Sequence, residues 1–424
     1  MLRDKYDNEI TTSSGAARDL YIEAVDRLLG AAPFMVEGFA AVVAADPDFA
    51  LGHSGLARAL QIIGNIPDAR AAMAAARAVA PRQSEREAAH LHAMSLLIDG
   101  KGVEAYRAIR AHVAVHPRDA MLAQTCTSVF GLIGFSGQPG REAELLAYTS
   151  ELLPHYEGDW WCMGQHAFSL CETGQVDRAD ALIDQSLAIN PRNAHGAHVR
   201  SHVYYEAGEP KAGMSYLQGW LADYDRQGIM HGHLSWHVAL WALEMGDTEQ
   251  MWQRIDADAA PGGSLGPPIN VLTDTASFLY RAALAGHDVP AERWQGLSDY
   301  AKRMFPNTGL GFVDVHAALA HAMAGDEDAV EAIIASAVGP SADVVRDLAE
   351  TYRAIARQDW DAANRYLTVA MTDHARIGGS RAQRDLLQFT LLDILVKQGR
   401  GQEARHLLAL HRPVQANIQS VAGL

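Results

Sequence analysis

The chain has 424 residues, with 51 acidic against 35 basic side chains and a formal net charge of −16. That balance offers no basic footprint for a phosphate backbone, so no nucleic-acid partner is expected. No apolar run approaches the roughly 20 residues of a membrane span, and the charged start Met1-Leu2-Arg3-Asp4-Lys5-Tyr6-Asp7 has no apolar stretch behind it, so neither a membrane partner nor a secretory signal is expected. Cys126, Cys162 and Cys171 are widely spaced and odd in number, which suits a reducing, cytoplasmic location and supplies no thiolate metal motif.

In chain order, Thr11, Thr12, Ser13 and Ser14 read as capping residues before a first helix near 16–29. Pro47, Pro81, Pro117, Pro154 and Pro191 then lie 34, 36, 37 and 37 residues apart. Helix pairs split by a glycine or polar turn sit between them, and a period of 34 is that of tetratricopeptide repeats. The unit 50–81 shows the pattern best. Ala57 and Leu60 belong to its first helix, Gly64 to its turn, and Ala69, Met73 and Ala76 to the contact edge of its second helix, which Pro81 stops. The unit 160–191 repeats it with Ala167, Leu170, Gly174, Ala179, Ile183 and Ser186.

The second half keeps the rhythm more loosely. Gly246, Gly286 and Gly325 end apolar helices, and loops at 257–268 and 305–311 are long enough to fold over one face. The last pairs are 341–356 with 360–371 and 380–398 with 402–410. The expected fold is an all-α, right-handed superhelical solenoid of tetratricopeptide-like helix-turn-helix repeats over 1–424. N-terminal repeats fill 16–158, histidine-rich central repeats 159–325, and C-terminal repeats with a cap 326–424.

Function is sought along one stripe. His195, His198 and His202 fall at i, i+3 and i+7 with Glu206 beyond, so a helix puts them on one side. Counted from Ala194 they take positions of the repeat that face the concave surface. Trp161 and, deeper, His166 belong to the preceding unit, and His233, His237 and Trp241 to the following one. Asp274 and Tyr280 come from a further first helix, Asp314 and His316 from another. A lone helical histidine is usually a satisfied core or surface group, but several on adjoining stripes need partners, because unpaired buried imidazoles are costly.

Two chemistries fit. His198 with His202 and His233 with His237 have the i, i+4 spacing of zinc ligands, though neither pair encloses the glutamate of the zinc-protease motif. A metal set of His198, His202 and His237, completed by Glu206 or Asp314, is conceivable, with zinc as the ion; no motif demands a cofactor. Alternatively the same imidazoles move protons at neutral pH, oriented by Asp274 or Asp314. No serine elbow, phosphate loop or dinucleotide fingerprint occurs.

The strings Thr11-Thr12-Ser13-Ser14, Ala45-Asp46-Pro47-Asp48-Phe49-Ala50-Leu51-Gly52-His53, Asn190-Pro191-Arg192-Asn193-Ala194-His195-Gly196-Ala197-His198, His233-Leu234-Ser235-Trp236-His237 and Asp314-Val315-His316-Ala317 together resemble the tetratricopeptide repeat protein 38 family, from about residue 10 to at least 324. The resemblance implies an all-helical protein and carries over to His53, His198, His202, Glu206, His233, His237, Asp314 and His316; Trp241 has no matching family position. The expected function is small-molecule binding in a histidine-rich concave pocket, with His198, His202, His237, Glu206, Asp314 and His316 as catalytic candidates for a hydrolase or lyase. His53, Trp161, His166, His195, His233, Trp241, Asp274 and Tyr280 are the ligand-contact candidates. Alternatives are a scaffold gripping a peptide partner in the groove, and a structural homo-oligomer.

Overall fold

The computed structural model describes residues 2–79, 84–415 and 420–424. The stop assigned to Pro81 lies outside the described residues. The fold is all-α and built from consecutive helix pairs, as a tetratricopeptide-like solenoid requires. The first half runs α1 (Gly15–Leu29), α2 (Met35–Ala45), α3 (Ala50–Ile62), α4 (Ile66–Ala78), α5 (Glu85–Ile98), α6 (Gly102–Val115), the single turn α7 (Ala120–Ala123), α8 (Arg141–Leu152), α9 (Trp160–Glu172), α10 (Val176–Ile189), α11 (Ala194–Ala207) and α12 (Pro210–Leu221). The second half runs α13 (His231–Glu244), α14 (Thr248–Arg254), α15 (Pro268–Leu284), α16 (Ala291–Met304), α17 (Gly311–Met323), α18 (Glu327–Ser336), α19 (Ala342–Ala356), α20 (Trp360–Met371), α21 (Arg381–Lys397) and α22 (Gly401–His411). A two-stranded antiparallel hairpin, Leu2–Arg3 against Glu9–Ile10, precedes them.

Local chemistry sets the boundaries. The Ser14 hydroxyl accepts the Ala17 amide at the start of α1, and Ser84 with Glu87 forms a reciprocal capping box at α5. Ala57, Ala69, Met73 and Ala76 are all fully buried where α3 and α4 cross. Gly55 shows the same need where α2 meets α3: a Cβ on it would lie 2.1 Å from the Phe39 ring.

Residues 120–140 depart from the expected pairing. A first helix should fill this stretch, but only one turn and a short 3-10 segment form before Arg141. Gly131, Gly134, Gly137 and Gly140 weaken any helix here, and the segment instead tucks Phe130 and Phe135 against Phe312. The 257–268 loop also starts differently, since Ile255–Ala259 forms a π-helical turn.

The interior is closed by contacts far apart in sequence. The Ala194 amide donates to Gly30 O at 2.9 Å, and the Arg141 guanidinium donates to Ala375 O and Gly379 O. Tyr205 donates to Asp385 at 2.8 Å, and Arg412 forks onto Glu206 at 2.7 and 3.2 Å. The C-terminal pair is thereby laid across the central helices. Helices enclosed in this way are buried on every side: all of α9 and all but two residues of α13 are inaccessible.

Candidate metal centre

Two successive first helices, α11 and α13, bring four imidazoles together. His198 and His202 stand one turn apart on α11, and His233 and His237 likewise on α13. All four are buried, and one nitrogen from each lies within 4.8 Å of the others. His198 Nε2 is 2.9 Å from His202 Nε2 and 3.0 Å from His233 Nε2. Phe168 covers His198 and His202, and Trp236 stacks on His233 at 5.2 Å.

Proton counting shows what this arrangement lacks. The His233 Nδ1–H donates to Asp274 Oδ2 at 2.8 Å, which turns the His233 Nε2 lone pair toward His198. His198 Nε2 carries one proton or one lone pair and cannot satisfy both facing nitrogens. Both His237 nitrogens and His202 Nδ1 are buried without a partner. A shared cation would use these lone pairs together, where hydrogen bonds cannot.

Electrostatics keep the nitrogens available. Burial, with the neighbouring imidazoles adding to it, holds His198 and His237 well below the usual histidine range, and burial with His233 takes His202 down to about 3. They are therefore neutral ligands at pH 7. Glu172 Oε1 lies 3.7 Å from His202 Nδ1, and burial raises this carboxyl to about 7. Asp274 behind His233 and Glu172 near His202 occupy the places of the outer carboxylates that orient metal-bound histidines. The four imidazoles could thus coordinate a metal such as zinc, for which a tetrahedral nitrogen–nitrogen edge is roughly 3.3 Å given zinc–nitrogen bonds of about 2.0–2.1 Å.

The other candidates fall in several places. The His316 Nδ1–H donates to Phe312 O at 2.7 Å, and the Asp274 charge acts on the ring. His195 lines the cavity that leads to the cluster. Glu206 does not complete the metal set, because Arg412 and Arg381 hold it. Asp314 does not either: it accepts the Gly309 amide at 3.0 Å and lines a separate cavity with Lys302 and His321. The fourth imidazole, His233, stands where an acid was expected. His166 bonds Thr149 at 3.0 Å and His53 bonds Pro47 O at 2.8 Å. Tyr280 packs on Tyr352, and Trp241 is buried where α12 approaches α13 at Gly213.

A cavity of about 80 Å³ reaches His198 and His233 past Phe130, Gln165 and His195. It shares those last three residues with a larger one of about 390 Å³ that Trp161 and Arg58 also line. Arg58, Gln124 and Phe130 escaped the sequence reading because they come from α3 and from the segment where a regular helix was expected. The structure also holds Ser54 Oγ 3.2 Å from His90 Nε2, with His90 Nδ1 2.9 Å from Asp119. This triad-like set carries no acyl-transfer reading: Ser54 is fully buried, and Asp119 is shared with His112 and Arg86.

No family model matches the chain. Among solved structures, a human IFIT1 dimer with m7Gppp-AAAA is similar at 11% identity, covering 98% of this chain and 94% of that one, with a TM-score of 0.45. Yeast Tom70 is similar at 14% identity, covering 93% and 82%, with a TM-score of 0.36. A tetratricopeptide repeat protein from Parabacteroides merdae is similar at 12% identity, covering 72% and 98%, with a TM-score of 0.32. These likenesses are to the all-helical tetratricopeptide-like repeat fold. The expectation that net charge excludes a nucleic-acid partner is corrected by the IFIT1 structures, which hold m7Gppp-AAAA or PPP-AAAA in a fold of this type. Net charge sums the whole chain, whereas a cavity presents only its own lining. Among the described residues, no helix is long and apolar enough to cross a membrane.

Proposed function

We propose that this chain is a metal-dependent, small-molecule-binding helical-repeat protein, one continuous stack over 1–424 whose central repeats carry the site. The observation that carries the proposal is the convergence of four buried imidazoles, several of their nitrogens unpartnered, beside a cavity. His198, His202, His233 and His237 hold the ion, Asp274 fixes the His233 tautomer, and Phe168 and Trp236 keep water from the ligands. With four imidazoles as ligands, a bound zinc would polarise a ligand carbonyl or similar group only by taking it as a fifth ligand, and in that role it would serve a hydrolase or lyase. His195, lowered to about 4 by burial, is neutral at pH 7 and offers a hydrogen bond at the cavity end. The filled interior favours a small molecule over a threaded peptide. The histidine-bearing strings support a relationship to the tetratricopeptide repeat protein 38 family, and the three free, buried cysteines suit the cytoplasm. Metal analysis of purified, tag-free protein tests the reading. About one equivalent of transition metal is expected; a content near zero together with no zinc uptake on titration refutes it.

A further inference from the structure

The larger cavity contains a cation with no counter-ion. Arg58 Nη1 donates to Gln61 Oε1 at 2.7 Å and Nη2 reaches Gln124 Oε1 at 3.4 Å, both neutral acceptors. Its Nε is buried with no partner at all. Among the described residues it has no carboxylate in an ion pair, although acidic side chains outnumber basic ones by 51 to 35 over the chain. Nor does any aspartate or glutamate line this cavity. Arg58 is half-buried and lines the cavity.

An isolated guanidinium withdrawn from water is expensive, and proteins normally pair it with a carboxylate. A planar guanidinium whose Nη atoms meet only neutral acceptors is also suited to a planar anion, because guanidinium meets carboxylate through parallel N–H···O bonds. The remaining wall is mostly apolar, with Leu28, Ile62 and Phe135 among its residues, and its polar groups are uncharged amides and hydroxyls such as Asn270 and Ser128. One positive charge in an otherwise uncharged, mostly apolar chamber matches one negative charge on an apolar body.

We propose that Arg58 anchors the carboxylate of a small apolar monocarboxylic acid, whose body extends past Gln165 and His195 toward the four-histidine centre. The inference deepens the small-molecule reading above and rests on it for the cavity, but not for the metal.

Isothermal titration of the full-length protein with octanoate, 1-octanol and octylamine tests it, since the three share a chain and differ in head charge. Octanoate should bind, and the alcohol and amine should bind roughly tenfold more weakly or worse. Arg58→Met should cost octanoate a similar factor, and Arg58→Lys, which keeps the charge, should retain part of the affinity. His237→Ala, stripped of metal, should still bind octanoate; metal uptake by Arg58→Met should match the parent protein. Failure of the metal reading therefore shows in metal content, and failure of this one in octanoate affinity. No octanoate binding, equal binding of octanol, or binding lost in metal-free His237→Ala yet kept in Arg58→Met would overturn the assignment.

Discussion

Asp274→Asn isolates the outer carboxylate of the proposed metal centre. Asp274 Oδ2 accepts the His233 Nδ1 proton at 2.8 Å, and Oδ1 has no partner, so the contact to the imidazole is this one bond. An amide of the same shape keeps an acceptor oxygen but removes the charge that raises the basicity of His233 Nε2. Loss of such an outer partner typically lowers metal affinity by about 10–100-fold, or ~1.4–2.7 kcal/mol. Without metal the sign differs, since replacing a buried carboxylate by a neutral isostere removes a desolvation penalty. The metal-free variant should therefore melt at or above the parent temperature while the zinc-loaded variant melts below its parent. Competition against a chromophoric chelator gives the affinity, and calorimetry gives both melting temperatures. Zinc affinity within twofold of the parent protein would refute the role given to Asp274, and with it the orientation of His233.

His237→Ala should abolish stoichiometric metal binding while leaving the helical circular dichroism intact, because neither His237 nitrogen has a hydrogen bond to lose; unfolding would make His237 a packing residue instead. Glu172 is held up to about 7 against an ordinary 4.5, so between those values the folded chain keeps a proton that the unfolded chain has released. Its contribution is thus favourable at low pH and lost as pH rises through 7. Glu172→Gln should accordingly be the more stable protein at pH 8, by on the order of a few kcal/mol, with the difference closing by pH 5 in urea melts. Gly55→Ala should destabilise by about 1–3 kcal/mol in the same assay, since its Cβ would meet the Phe39 ring at 2.1 Å; an unchanged midpoint would mean that α2 and α3 slide apart freely.

Much of the repeat architecture is legible from local signals. The helix pair 342–356 and 360–371 begins and ends within a residue of where its caps and periodicity put it, and the stripe on α11 places His198 and His202 together. What local patterns do not carry is the closing of the stack. Glu206 looks free in sequence because the residue that captures it, Arg412, lies 206 positions away. Asp314 shares a helix with His316, yet the chain turn at Gly309 claims its carboxylate. His233 and His237 show only their mutual spacing; that they face His198 and His202 follows from how α11 and α13 pack. The cavity depends on residues 124–140 forming no regular α-helix, and the glycines that prevent one sit among apolar residues that fit the repeat period.

The bonds from Tyr205 and Glu206 to Asp385 and Arg412 also alter how the array comes apart. In an open row of repeats each unit leans only on its neighbours, so the ends fray and the middle survives. Here the final unit is bolted to the middle, and trimming it would expose α11 rather than shorten the row. Loss of structure should be one concerted event, and inserting an extra repeat anywhere between α11 and α21 would pull the bolt out of its socket.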